Sequence, residues 1–417
     1  MAPPTSMLEQ GSSADRFRID VPLHEVLTGG PEEQRTTLEP KGLTFPEPPF
    51  PQRPNGVEDY RRFNVKRGFE GWAMPYLRSR LHPNALVPIV PYLFTEFKCN
   101  LDCHYCWSYD NQVKGMTEDV ARRSIDWLHG LGARVLALMG GEPLLRWRFV
   151  HKVTDYASKK GFFVYLPTNG RLMRPHVIDH LGDSGLATVN LAVDSVKERK
   201  ALPKALDAIR DNFDYLLERQ RFYGLSIVFN INVTRINIED VKELTRIGQD
   251  NGLVTDYHIN ESPMLEQSHF KHYDENSTYI TPDDWSRVDD LLDWLIEKSD
   301  EGYRYVNPRQ HLRDMKKLMR GEVDPWRCRA GENSLIIRTD GTLAPCFPMY
   351  SATHDWGTVE NPKFERQQLD HMKEECTRHC LSTCNYILQY CYDNMRVVKW
   401  IARQAMRGFR EVDGAFE

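Results

Sequence analysis

FKCNLDCHYCWSY, residues 97–109, is the stretch whose reading decides this chain. It places Cys99, Cys103 and Cys106 within eight residues at the spacing C-x3-C-x2-C. Structural zinc takes four ligands, and His104, squeezed between two thiols, points poorly for a fourth. A four-iron cube is normally held by one thiolate per iron. Three thiolates leave one iron open, and an open iron can bind a substrate or cofactor directly. The absent fourth thiol therefore reads as the reactive position.

Outward from this loop, short apolar runs alternate with helical stretches. VPIVPYLF (88–95) reads as a buried strand that leads into the cysteines. ARVLALMG (133–140), GFFVYLPT (161–168), ATVNLAV (187–193), LSIVFNINV (225–233) and VTDYHIN (254–260) read as five more strands. Helical patterns near 117–130, 146–159, 174–184, 203–222 and 238–251 lie between them. Six strand–helix units predict an α/β fold with a parallel sheet and right-handed crossovers, a partial (β/α)6 barrel too short to close as an eight-fold one. Chemistry in such sheets gathers at the C-terminal ends of the strands. There the cysteine loop, GGEP (140–143), TNG (168–170), Asp194, Asn232 and the Asn260–Glu261 pair all fall on one rim.

The cysteine spacing, with the aromatic Tyr105 before the last thiol and the order strand, CNLDCHYC, helix, strand, MGGEP, resembles the radical S-adenosylmethionine enzymes. The resemblance implies a [4Fe–4S] cluster on Cys99, Cys103 and Cys106 whose open iron chelates S-adenosylmethionine. It implies reductive cleavage to a 5′-deoxyadenosyl radical that takes hydrogen from a substrate, with an external reductant such as flavodoxin or ferredoxin. Tyr105 is assigned by it to the cofactor site, and Gly140, Gly141 and Glu142 to the methionine amino group. Thr168 and Asn169 are assigned alike, with a helix cap and turn as the alternative. Asp194 resembles the acidic position after strand four, and Asn232 and Thr234 lie where the family touches ribose or carboxylate. Arg235 is either a partner of that carboxylate or a solvated surface residue, and His258 either reaches adenine or substrate or is a satisfied core histidine. Glu261 is the candidate for substrate contact or proton transfer.

A second thiol group lies downstream. Cys328 and Cys346 flank SLIIRTDGTLAPC, a hairpin with an Asp340–Gly341 turn. Cys376, Cys380, Cys384 and Cys391 follow. The set resembles the SPASM or shorter twitch extension, which holds auxiliary iron–sulfur clusters. Six thiols exceed the four of one cube and fall short of the eight of two. The reading is one auxiliary [4Fe–4S] cluster on Cys328, Cys346 and two of the later four, with Cys376 and Cys380 preferred. Cys384 is a further candidate, since residues four apart would put Cys376, Cys380 and Cys384 along one helical face. Cys391 is either a ligand or a packed residue, and structural zinc is the alternative metal.

The whole chain sets the limits. It has 417 residues and nine cysteines, an odd number, with a net charge of −5 and no acidic or basic block. Nothing there suggests a nucleic-acid or anionic-membrane surface. No run approaches the ~18 apolar residues of a membrane span, and no basic, apolar leader opens the sequence, so a cytoplasmic protein is expected. Residues 1–87 read as a partly irregular N-terminal extension, 88–322 as the core barrel and 323–417 as the auxiliary-cluster domain and helical tail. The extension lacks the regular pattern of a peptide-recognition domain, and no cobalamin-binding region is present. The expected substrate is a small polar metabolite, altered by dehydrogenation, dehydration, epimerisation or a similar step in a natural-product pathway. A maturase of peptide or protein side chains is the alternative within the class. A non-catalytic iron–sulfur electron carrier or interaction module is the alternative outside it.

Overall fold

The computed structural model describes residues 60–83, 85–259, 269–272, 276–350, 354–393 and 399. The strands expected from sequence form β1 (Val90–Glu96), β2 (Val135–Gly140), β3 (Phe163–Thr168), β4 (Leu186–Ala192), β5 (Ser226–Val233) and β6 (Val254–Ile259). All five neighbouring pairs among them are parallel. Parallel neighbours need a crossover, and the helices between strands supply it. An initial helix, α1, spans Tyr60–Leu81, and the crossovers are α2 (Glu118–Gly130), α3 (Trp147–Lys159), α4 (Pro175–Asp183), α5 (Arg210–Tyr223) and α6 (Ile238–Asp250). Thr117 opens α2 by accepting from Val120 N–H, with Glu118 and Asp119 in the first turn where the helix dipole favours negative charge.

The strands alternate in what they face. Leu136, Leu138, Val164, Leu166, Val189, Leu191, Ile227, Phe229 and Ile231 are buried against the helices and form one core. Truncating one of them to alanine costs about 2–5 kcal/mol, the transfer term plus the cavity. The opposite face is only partly buried on β3 and β5 and carries Tyr165, Asn190, Asn230, Asn232, Asp256 and His258. That polar face is the inside of the barrel.

The 1–87 region contains more regular structure than the few short helices expected. In α1 the apolar residues do not gather on one stripe, so the helical period is faint in the sequence. The helix is held by Ala73 and Tyr76, buried in a core cluster with Tyr92 and Phe94, and by Arg67, which donates to Ser158 Oγ (2.8 Å) and to the carbonyls of Phe162 (2.9 Å) and Gly185 (2.8 Å). Those carbonyls lie at the starts of β3 and β4, so α1 crosses the end of the barrel opposite the cysteine loop. Burial lowers the Arg67 pKa to about 10.

After β6 come α7 (Trp285–Asp300) and α8 (Arg309–Arg320), then β7 (Ser334–Ile337) and β8 (Leu343–Ala344). The hairpin is not a separate layer: β7 pairs parallel with β1, and the eight-stranded order is β6-β5-β4-β3-β2-β1-β7-β8. A single sheet thus crosses the boundary drawn at residue 323. Helices α9 (Arg366–Cys376) and α10 (Thr383–Asp393) follow. They are not one helix, so Cys376, Cys380 and Cys384 do not share a helical face. The break at 377–382 leaves Cys380 in a loop, and α10 restarts where Asn385 and Tyr386 N–H donate to Ser382 O.

Candidate active site

The end of β1 sets the site. Register with β2 shifts between Phe94 and Glu96, a bulge that turns the chain into the cysteine loop. The loop is pinned at several points. Cys99 N–H donates to Asn111 Oδ1 (3.1 Å), Cys106 N–H to Cys103 O (3.0 Å) and His104 N–H to Ala201 O (3.1 Å). Residues 269–272 lie against it: the His272 ring stacks on His104 at 3.9 Å and its Nε2 is 3.3 Å from Asp102. His272, Tyr109 and Lys271 hold the Asp102 carboxyl well below its usual range.

Gly140 and Gly141 are required by the backbone itself. A Cβ on Gly140 would stand 2.2 Å from Glu96 O, and one on Gly141 would stand 2.4 Å from Lys98 O and 2.5 Å from Phe97 O. Their smallness lets Gly141 N–H reach Glu96 O and Glu142 N–H reach Lys98 O, each at 2.8 Å. Glu142 is fully buried. Its Oε1 accepts from Leu144 N–H (2.9 Å) and Thr168 Oγ1 (2.8 Å), and its Oε2 accepts from Asn169 N–H (2.9 Å). Burial raises its pKa despite these donors. Asn169 Nδ2 in turn donates to Asn100 Oδ1 (2.9 Å), between two cysteines of the loop. One carboxylate therefore ties the ends of β2 and β3 to the thiol loop.

On the other side Asp194 plays the same part. Its Oδ2 accepts from Tyr105 OH (2.5 Å) and its Oδ1 from Asn232 N–H (2.8 Å), with Asn237 Nδ2 on its carbonyl (2.7 Å). Thr234 is occupied locally: its hydroxyl donates to Asn237 Oδ1 (2.9 Å). Arg235 is neither a surface residue nor turned to a ligand carboxylate. It forms a largely buried ion pair with Asp284 at 3.1 Å. Glu261 and Asn260 lie outside the described residues.

Three thiols fit a metal cluster here on electrostatic grounds. Burial pushes Cys99 up to about 12 and Cys103 well above its ordinary value, each with a further push from Cys106. Such thiols release their protons only to a strong cation, as metal binding does. Sequence reasoning missed the cation already present, Lys204. Burial lowers its pKa, but Cys103, Asp194, Cys106 and Cys99 together pull it above the ordinary lysine value. Its only sequence signal is one lysine in the otherwise apolar ALPKAL.

The downstream thiols divide. Cys328, Cys346, Cys376 and Cys380 line one small cavity with Trp326, Met372 and Asn385. Trp326 Nε1 donates to the carbonyls of Thr377 (3.1 Å) and Cys380 (3.0 Å) and so fixes the loop that carries the last of these thiols. Cys384 and Cys391 pack elsewhere, in the cluster with Tyr76, Tyr92 and Phe94. Cys384 acts electrostatically on Tyr92 and Tyr165 at the inner barrel face. Burial pushes Cys391 up to about 12, and its carbonyl accepts from Tyr76 OH at 2.8 Å.

Residues 97–247, which hold the triad, Glu142, Asp194 and Lys204, match the family model described as "Radical SAM superfamily". These residues form a radical SAM domain. A [4Fe–4S] cluster on the triad and S-adenosylmethionine are the superfamily's cofactors, and the thiol set and its surroundings fit them. Among curated radical SAM relatives, the chain is 26% identical over 211 residues to an AdoMet-dependent heme synthase of Methanosarcina barkeri, covering 49% of this chain and 56% of that one. It is 23% identical over 265 residues to a GTP 3′,8-cyclase of Sulfurimonas denitrificans, covering 60% and 77%. The chain spans about half the length of the heme synthase it matches. The fold resembles that of SuiB from Streptococcus suis, with TM-score 0.56 at 13% identity over 72% of this chain and 71% of that one. No helix among the described residues is long and apolar enough to cross a membrane.

Proposed function

We propose that this radical SAM chain removes a hydrogen atom from a small polar substrate held inside the partial barrel, assisted by one auxiliary [4Fe–4S] cluster on Cys328, Cys346, Cys376 and Cys380. When bound, the triad cluster and S-adenosylmethionine supply radical hydrogen abstraction, and the auxiliary cluster supplies one-electron storage. The chain's own residues bind and orient. Cys99, Cys103 and Cys106 would hold the cluster, and Lys204 would offset the negative charge that collects there. Glu142 and Asp194 keep the thiol loop at a fixed height over the barrel mouth. Their oxygens accept from Leu144 and Asn169 N–H, the Thr168 hydroxyl, Asn232 N–H on β5 and the Tyr105 hydroxyl of the loop, so the loop cannot shift without breaking several at once.

The observation that carries this reading is a shared segment. Cys380 lines the four-thiol cavity, and three residues later Thr383 Oγ1 lies 3.1 Å from His258 Nδ1 on the inner face of β6. One short segment of chain therefore touches both the inner face of the barrel, through the Thr383–His258 contact, and the four-thiol cavity, through Cys380. Within the class, the dehydrogenation reading follows from that proximity. The relatives' names, a heme synthase and a GTP cyclase, are those of enzymes that make or convert small molecules. A reductant such as flavodoxin or ferredoxin, and a reducing, cytoplasmic setting for nine free thiols, complete the proposal.

The test is anaerobic reconstitution followed by incubation with deuterated candidate substrates. Deuterium is expected in 5′-deoxyadenosine, from a small metabolite rather than from a peptide. Cys328→Ala or Cys376→Ala should lower iron from about eight to about four per chain, whereas Cys391→Ala should leave it unchanged. Label transfer from a peptide side chain would overturn the substrate class. An unchanged iron count in Cys328→Ala and Cys376→Ala would overturn the auxiliary site.

A further inference from the structure

The four-thiol cavity has a charged wall. Glu332 Oε1 accepts from Lys373 Nζ at 2.6 Å, and its Oε2 lies 3.5 Å from Arg329 Nη1 and from Arg327 Nη2. Lys373, Arg329 and Glu332 are 7%, 7% and 9% exposed. Arg329 also donates from Nε to Gln389 Oε1 (2.8 Å), and its guanidinium lies 3.7 Å from the centre of the Tyr392 ring, so both of these partners are neutral. Arg327 and Asp393, which also act on Arg329, are exposed and opposite in sign. Among the described residues of this wall, two buried cations therefore meet one buried carboxylate. One positive charge is left over.

A buried charge without compensation is costly. Four thiolates around a cluster would supply the compensation, and the wall reaches the thiols. Arg329 directly follows Cys328, and Ala330 lines the cavity and donates its N–H to Cys328 Sγ (3.4 Å). On α9, Lys373 lies between Met372 and Cys376, both of which line the cavity. Lys373 acts electrostatically on Cys328 and Cys346, thiols of two separate segments, and favours the thiolate at each against burial. Arg329 acts on Cys328 in the same sense and Glu332 in the opposite one. Cys380 Sγ accepts from Ser382 N–H at 3.3 Å.

We infer that the buried Lys373–Glu332–Arg329 group sets the reduction potential of the auxiliary site, its surplus positive charge raising that potential so that the site takes up an electron more readily. Reduction adds one negative charge to a cluster, and the potential depends on the net charge nearby and on hydrogen bonds to the sulfurs. Lys373 and Glu332 act through the thiols and are positioning residues, not ligands. An ion pair that only braced α9 against the turn before β7 would lower stability when cut from either side. It would not move the potential with a sign that follows the charge removed. The inference rests on the proposed function in one respect, that the four-thiol cavity holds an iron–sulfur cluster.

The experiment uses the full-length protein, reconstituted anaerobically and carrying Cys99→Ala, Cys103→Ala and Cys106→Ala, so that only the downstream thiols bind a cluster. Electron paramagnetic resonance follows the reduced cluster through a redox titration. Adding Lys373→Met should cut the ratio of reduced to oxidised cluster at a fixed potential about tenfold, a fall of about 59 mV in the midpoint of a one-electron couple. Adding Glu332→Gln should raise that ratio by a similar factor. Lys373→Arg keeps the charge and should keep the parent midpoint. Shifts of the same sign in Lys373→Met and Glu332→Gln overturn the inference, as does an unmoved midpoint in both or a Lys373→Arg protein that shifts as far as Lys373→Met. If Lys373→Met holds no cluster, the sign of the Glu332→Gln shift decides. A triad-lacking protein that binds no cluster overturns the proposed auxiliary site and the inference with it. A cluster that is present but indifferent to both charges overturns the inference alone.

Discussion

Replacing Gly141 with alanine tests whether the backbone at the end of β2 sets the height of the thiol loop. The new Cβ would stand 2.4 Å from Lys98 O, 2.5 Å from Phe97 O and 2.7 Å from Lys98 C. All three are backbone atoms, so no rotamer change relieves the contact. Ordinary carbon–oxygen contact needs roughly 1 Å more, and overpacking of this kind costs about 1–3 kcal/mol. For a chain of 417 residues that is a fall of roughly 1–3 °C in Tm. The displaced strand end also loosens Gly141 N–H to Glu96 O and Glu142 N–H to Lys98 O. A misplacement of about 1 Å beside a reacting centre is worth on the order of 100-fold in rate. Gly141→Ala should therefore keep its iron, lose a few degrees of Tm and cleave S-adenosylmethionine about 100-fold more slowly. Gly130→Ala is the control, since a Cβ there meets nothing within 4 Å. A Gly141→Ala protein with the wild-type Tm and cleavage rate would refute the reasoning.

Three further outcomes follow from buried charges. Burial beside Asp179 raises the Asp183 pKa to about 6 and leaves its Oδ1 unpartnered. The unfolded chain ionises first, so stability falls as pH rises from about 4 to about 6. Asp183→Asn should therefore gain on the order of 1 kcal/mol at pH 7.5, discounted for its half-exposed setting, and nothing at pH 4. His311, wholly buried and stacked on Tyr386 at 4.3 Å, has its pKa lowered to about 4. Its contribution is present above pH 6.5 and is lost as pH falls towards 4, by about 3 kcal/mol in all. His311→Gln should flatten denaturant-measured stability over that window, and an unchanged slope would contradict the assignment. Lys204→Met should make the triad cluster harder to reduce, by on the order of tens of millivolts in an anaerobic redox titration. An unmoved potential would remove Lys204 from the site.

The six strands and their order could be read from sequence because apolar runs of strand length alternate with helix-period segments, and each polar rim residue follows its strand directly. Cys99, Cys103 and Cys106 were legible for the same reason: their spacing is local. Residues whose meaning depends on contacts across the fold were not. Gly140 and Gly141 read as room for a ligand's ammonium, yet what crowds them is the carbonyls of Glu96, Phe97 and Lys98. Lys204 lies about a hundred residues from the thiols that hold its charge. Arg235 read as surface or ligand-facing because its partner, Asp284, is remote in sequence. The helix α1 was missed because its hydrophobic period is faint and because Arg67, one of its anchors, reaches partners about a hundred residues away. Cys376 and Cys380 reach one cavity through a break in the helix, which a four-residue spacing alone does not reveal.

The most direct measurement is electron paramagnetic resonance on the reduced, oxygen-protected protein carrying Cys328→Ala and Cys376→Ala, so that only the triad binds a cluster. Adding S-adenosylmethionine labelled with nitrogen-15 at its amino group should change the cluster signal and introduce coupling to that nucleus. A signal indifferent to the addition, or a triad that holds zinc, would contradict a vacant iron above β1.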